Sequence, residues 1–182
     1  MNRFPSVLFD LDGTLIDPGE GIAGTIQFVL DRLGAAAAFD RALRWYVGPP
    51  LTKIFSRLLP PESGSELIER AVSLYLERFA THGAQQSTIY PEIAGALQTI
   101  QTNRRLFLVT SKTTAVAEQI LTAHLIRSHF EDVIGIERDG RFANKAAAVR
   151  FILETAKLDG RRDLWLRYEG GAGRRRRRSN LR

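Results

Sequence analysis

Residues 7–17 read Val7-Leu8-Phe9-Asp10-Leu11-Asp12-Gly13-Thr14-Leu15-Ile16-Asp17, and this stretch decides the fold. Three apolar residues run without alternation into Asp10, which predicts a strand buried on both faces that enters a loop at Gly13. Two carboxylates two positions apart repel each other unless a cation lies between them. Phosphoryl transfer suits such a pair, since it needs a nucleophile, neutralising positive charge and a proton donor for the leaving oxygen. Asp10 as a nucleophile forming an aspartyl-phosphate, and Asp12 as acid and base, meet these needs. Gly13 lets the backbone turn and its amides approach a phosphate. Taken alone, Asp-x-Asp-Gly also reads as a tight polar turn whose aspartates serve turn chemistry.

Working outward, Ile22, Ile26, Val29, Leu30 and Leu33 recur at helical spacing and Gly34 is a stop. Helical patterns continue through Ala35–Val47, Leu51–Leu59 and Gly64–Phe79. For the last, Ser63 with Glu66 predicts a capping box. The pattern then changes to alternating helix and strand. A helix from Pro91 to Ile100 precedes a buried strand, Leu106–Val109. A helix over Thr113–His124, a strand over Asp132–Ile136 and a helix over Lys145–Leu158 follow. This alternation predicts a doubly wound, Rossmann-like α/β core with a parallel sheet and a helical block inserted after the first strand. The expected organisation is a core of residues 1–17 and 88–160, a helical cap of residues 18–87, and an Arg-rich tail, residues 161–182, aberrant or disordered. In such sheets the site lies at the carboxyl ends of the strands, where Asp10 and Thr110 both fall.

The whole string around Asp10 resembles the first motif of the haloacid dehalogenase-like hydrolase superfamily, Asp-x-Asp-Gly-Thr-Leu. The resemblance implies Asp10 as nucleophile and Asp12 as acid/base, with both at a Mg²⁺ site; having Asp12 points to phosphate esters. It implies that Thr110, in Leu108-Val109-Thr110-Ser111-Lys112, hydrogen-bonds a phosphate oxygen. As a lone Thr it would read as an N-cap for the next helix. Ser111 and Lys112 look like the residues that follow this Thr in phosphoglycolate-phosphatase-like members. Lys145 falls where the family places the lysine that neutralises nucleophile and phosphate, and Lys157 is the poorer candidate. Within the cap, Gly48-Pro49-Pro50-Leu51 reads equally as a helix–helix turn and as the family's substrate-selecting loop. Lys53 and Arg57 are its candidate substrate contacts. His82, His124 and His129 show no metal-ligand spacing.

The likeness covers residues from about 4 to 158 and then fails. The family's fourth motif, an acidic pair that completes the magnesium shell, has no counterpart; only Asp159 and Asp163 stand nearby. Three readings of the tail stand: a solvated segment, an anion patch, or out-of-frame translation. For the last, the resemblance implies a late Trp-Gly-Tyr-Gly-Thr stretch, and with one choice of codons the loss of two bases there would give the sequence at Trp165–Glu169. The tail also explains the charge. The chain has 182 residues, a net charge of +6 and a pI near 10.2. Residues 161–182 hold nine of the 26 Lys and Arg and two of the 20 acids, so the tail carries +7 and the rest −1. That near-neutral body argues against a dedicated nucleic-acid binder.

Absence of cysteine excludes disulfides and thiolate metal sites. Neither a secretory signal nor a membrane-length apolar run appears, so the expected location is cytoplasmic. The expected activity is Mg²⁺-dependent phosphomonoester hydrolysis on a small phosphorylated metabolite by a monomer or homodimer, with phosphoglycolate favoured and turnover impaired by the missing fourth motif. Its rivals are a 5′-nucleotidase, a sugar phosphomutase, and an inactive remnant whose Arg-rich tail binds polyanions.

Overall fold

A computed structural model describes residues 5–35, 39–137, 142, 144–158 and the backbone of 164–166. In chain order the elements are β1 (Ser6–Phe9), the two-residue β2 (Ile16–Asp17), α1 (Gly19–Arg32), α2 (Leu51–Leu58), α3 (Ser65–Thr81) and the two-residue β3 (Thr88–Ile89). There follow α4 (Ile93–Gln101), β4 (Arg105–Val109), α5 (Thr114–Ala123), β5 (Asp132–Ile134), α6 (Lys145–Thr155) and β6 (Leu164–Leu166). The chain forms two compact units, Met1–Asp17 with Ile89–Arg182, and Pro18–Thr88.

The first unit is built on a parallel sheet in the order β5-β4-β1-β6. Register is set by Leu8 opposite Phe107 and Leu108 opposite Val133. β1 and residues 106–109 of β4 are buried throughout, which is why both read as unbroken apolar runs rather than alternating ones. Leu8, Phe107, Val109 and Ile134 pack with Phe142 and with Ala148, Val149 and Ile152 of α6. Each such large side chain contributes about 1.5–3 kcal/mol on burial. At the foot of the sheet Arg105 bridges three segments. Its Nε donates to Glu131 Oε2 at 2.7 Å and its Nη1 to the Ala156 carbonyl at 2.8 Å.

The second unit is helical. α1 buries Ile22, Ala23, Ile26, Val29 and Leu30, the face its spacing predicts. Tyr75 stacks on Phe79 at 5.5 Å and meets Phe55 edge-on at 6.1 Å, joining α2 to α3. The backbone carbonyl of Gly83 lies so near Gly21 that a Cβ there would stand 2.1 Å from it.

Three expectations are corrected. The described residues of 35–47 do not form the expected helix; residues 39–47 hold a single 3₁₀ turn, Arg41–Leu43. Asp40 caps it by accepting from the Ala42 N–H at 2.9 Å, and Arg44 turns left-handed at φ 48°. These local bonds compete with the helix that apolar spacing suggested. The capping box at Ser63 is also absent. Gly64 is the N-cap of α3 with no side-chain bond, because the Ser63 N–H closes a turn onto the Pro60 carbonyl at 2.9 Å. Third, residues 161–182 are not all tail: Leu164–Leu166 pairs in parallel with Val7–Phe9. Three residues carry too little pattern to announce a strand, and the open edge of β1 supplies the context that makes one. Asp159, Asp163 and Arg174–Arg178 lie outside the described residues.

Candidate active site

Buried β1 delivers Asp10 to the carboxyl end of the sheet. The Leu11 N–H donates to Asp10 Oδ1 at 2.8 Å, and Lys145 Nζ stands 2.5 Å from the same oxygen. Lys145 is the first residue of α6, where a cation opposes the helix dipole, so its ion pair with Asp10 accounts for its placement. Asn144 caps the helix below it by accepting from the Ala147 N–H at 3.0 Å. Lys157, at the far end, is exposed.

Gly13 adopts φ 72°, the left-handed turn its place predicts. Its N–H, expected to face a phosphate, instead donates to the Ile16 carbonyl at 2.8 Å. The N–H groups of Thr14, Leu15 and Ile16 all donate to the Leu11 carbonyl, so the loop spends these amides on its own shape.

Thr110 follows β4 and is fully buried. Its N–H donates to the Ile134 carbonyl at 2.9 Å, and its Oγ1 accepts from the Lys112 N–H at 3.3 Å. It is not the helix cap that a lone Thr would suggest: Thr113 caps α5, accepting from the Val116 N–H. Ser111 is exposed. Lys112 turns back to Asp12, with Nζ 3.2 Å from Oδ2 and only 12% of its side chain exposed. No role could be assigned to Lys112 from its sequence position, whose signal was the resemblance of Thr110-Ser111-Lys112 to phosphoglycolate-phosphatase-like members. Glu137 was missed altogether; its Oε1 accepts the Thr114 N–H at 2.8 Å at the start of α5.

The Asp12 carboxyl is raised above its ordinary 3.8. Burial is the main cause. The charge and hydrogen bond of Lys112 pull the other way, Asp10 adds to the rise, and Lys145 opposes it. Although 30% of the side chain remains open, Oδ1 is buried and has no hydrogen-bond partner among the described residues. A carboxyl in this setting keeps a proton to higher pH, as a general acid requires.

No group of three His, Cys, Asp or Glu among the described residues is placed to hold a metal. Asp10 would furnish a carboxylate and Asp12 its backbone carbonyl, too few protein oxygens for a Mg²⁺ octahedron even with several waters and a substrate phosphate. The described residues therefore fit part of a magnesium shell and not a complete one.

Gly48, Pro49 and Lys53 belong to the helical unit. Gly48 has φ 108° and Pro50 is the N-cap of α2, so Gly-Pro-Pro at least performs the turn. Lys53 lies on a shallow groove with Thr52, Ser56 and Glu69, while Arg57 stacks over Trp45 at 4.3 Å.

Residues 7–159 match the family model described as haloacid dehalogenase-like hydrolase. The chain is 34% identical over 159 residues to a 5′-nucleotidase of Pseudomonas aeruginosa, covering 86% of this chain and 70% of that protein. It is 30% identical over 168 residues to a phosphoglycolate phosphatase of Vibrio cholerae, covering 87% and 73%. It spans about half (47%) of the tyrosine-protein kinase PtkA of Mycobacterium tuberculosis, at 31% identity over 76% of this chain. The solved structure of a predicted phosphatase from Clostridium acetobutylicum superposes with a TM-score of 0.77 at 27% identity, covering 89% of this chain and 74% of that one. The motif at Asp10, the parallel sheet that presents it and these matches agree: the chain belongs to the haloacid dehalogenase-like hydrolase family and is an enzyme of the phosphatase type.

Proposed function

We propose that the chain hydrolyses small phosphomonoesters through an aspartyl-phosphate on Asp10. The observation that carries this reading is the paired arrangement of two aspartates at the end of β1, each with its own lysine, Asp10 with Lys145 and Asp12 with Lys112. An Asp10 oxygen attacks phosphorus while the ester P–O bond breaks, and the departing oxygen takes the proton held by Asp12. The newly ionised Asp12 then accepts a proton from water. That water attacks phosphorus, the bond to Asp10 breaks, and inorganic phosphate and the free carboxylate return. Lys145 offsets the negative charge of Asp10 and of the arriving phosphoryl group, so that nucleophile and anion can meet. Thr110, buried just past β4, is the candidate donor to a phosphoryl oxygen. Gly13 serves by turning the loop, and Ser111 is a nearby exposed hydroxyl. Mg²⁺, when bound, would supply further charge neutralisation, and Asp10 and Asp12 are the residues that would hold it.

Phosphoglycolate and a nucleoside monophosphate are the substrates to try first, each supported by a relative of that activity. Gly48, Pro49 and Lys53 are the candidate selectors between them. We further propose a cytoplasmic monomer or homodimer. Among the described residues no helix is long and apolar enough to cross a membrane. The test is phosphate release from both substrates and from 4-nitrophenyl phosphate, with Mg²⁺ or with EDTA, by wild type and Asp10→Asn. Magnesium-dependent release that is lost in Asp10→Asn supports the reading. Folded wild-type protein that releases no phosphate from any of the three overturns it.

A further inference from the structure

We propose that Lys112 is a positioning residue for Asp12: a loop locked to the end of β5 delivers its ammonium to Oδ2 and so fixes the rotation of the carboxyl that acts as acid and base. The inference rests on the phosphatase reading above and adds to it a residue with a stated task.

The base of Lys112 is fixed on both sides of its α-carbon. Its N–H donates to Thr110 Oγ1 at 3.3 Å and its carbonyl accepts from the Ile136 N–H at 2.9 Å. The same loop is held by Thr110 N–H to the Ile134 carbonyl, by Thr114 N–H to Glu137, and by Gly135 N–H to Thr114 Oγ1 at 3.1 Å. The approach is close enough that a Cβ on Gly135 would fall 2.4 Å from the Lys112 carbonyl oxygen and 2.2 Å from the Thr114 nitrogen. A long flexible side chain thus starts from a rigid anchor, which lowers the entropy lost in holding its head at one place.

Stability is a poor reason for the contact. An ammonium with 12% of its side chain exposed loses most of its hydration, and a largely buried ion pair seldom returns more than that cost. What the pair does supply is asymmetry. A carboxylate has two equivalent oxygens that exchange by rotation about Cβ–Cγ, and one ion pair makes them different. Lys145 stands 2.5 Å from Asp10 Oδ1, whereas Lys112 stands at Asp12 Oδ2. One lysine serves the nucleophile, and the other orients its neighbour.

The test compares kcat and KM of Lys112→Met and Lys112→Arg on two phosphomonoesters with different leaving groups. Nitrophenolate departs without a proton, whereas an alkoxide needs one. The ratio kcat/KM reports the steps up to that departure. Lys112→Met is expected to lose about 100-fold in kcat/KM on the alkyl phosphate that wild type turns over best, and only a few-fold on 4-nitrophenyl phosphate. Lys112→Arg is expected to narrow that gap. Equal losses on both esters, with KM raised, would mean that Lys112 holds the phosphate itself and would overturn the proposal, as would no loss on either. Should Lys112→Met fail to fold by circular dichroism, Lys112→Gln carries the same comparison and is judged by the same gap. Wild type that turns over neither ester overturns the phosphatase reading and this inference with it, whereas equal losses overturn the inference alone.

Discussion

Among the described residues, each unit has a place where glycine lets two backbones meet, and the two places serve different ends. In the helical unit, Gly21 of α1 lies against the Gly83 carbonyl, and Gly83 in turn sits against Phe79 and Thr25. The contact brings α1 onto the chain that follows α3, and its neighbours are core side chains. In the α/β unit, Gly135 lies against the Lys112 carbonyl and the Thr113–Thr114 backbone. Here the neighbours are the loop that holds Thr110 and Lys112. The same steric device thus supports packing in one unit and the placement of charge in the other. A methyl group added at the first should be felt as lost stability, and at the second as lost turnover as well.

The largest effect expected is that of Asp10→Asn, which should cut turnover by at least about 10³-fold while melting stays near that of wild type. Unchanged turnover would remove the charged site from the comparison altogether. Next comes Gly135→Ala, for which kcat should fall about 100-fold, since a shift of about 1 Å in the loop is enough for that. Gly21→Ala should cost about 1–3 kcal/mol in denaturant unfolding, with kcat per folded molecule retained. If the two glycine variants lost activity equally, the distinction between the units would fail.

A subtler test uses pH, in EDTA. Burial raises the Asp12 carboxyl, so the folded state binds this proton more tightly than the unfolded chain. Its stabilising contribution is complete below the unfolded value of about 3.8 and disappears as pH rises through the raised folded value. Asp12→Asn should therefore gain stability over wild type at neutral pH and lose that advantage in acid. An advantage independent of pH would contradict the burial of Oδ1. The smallest effect lies at the foot of the sheet. Arg105 and Glu131 form an exposed pair, and Arg105→Met should cost under about 1 kcal/mol. Arg105 lowers the Glu131 carboxyl, so that contribution is present at neutral pH and lost as pH falls through the lowered value.

How far the sequence could be read follows from how local each feature is. The string ending in Asp10 carries its own strand, turn and carboxylates within eleven residues, and the strand over 105–109 is equally self-contained. Lys145 could be placed because the family resemblance puts its lysine just before the helical pattern that starts there. The partner of Lys112 could not, because the ion pair joins residues 100 positions apart through a loop whose anchor, Gly135, shows in sequence only as one more glycine. The region 35–47 misled for the opposite reason. Its alanines and leucines have helical spacing, but Asp40 and Arg44 impose a local turn that spacing does not register. Strand β6 was hidden by brevity, and only the edge of β1 identifies it.

The strand order has a consequence for how the protein is made. β1 leaves the ribosome well before its sheet neighbours, β4, about 100 residues later, and β6, later still. At about 5–20 residues per second, β1 waits on the order of 5–20 s for its first partner and longer for its second. The helical unit lies wholly between them in sequence and makes nearer contacts, which close faster. The nascent chain therefore carries an apolar strand, Val7-Leu8-Phe9, with both hydrogen-bonding edges open while a complete helical unit emerges behind it. That interval is when a chaperone able to cover a short extended segment would have the most effect on yield.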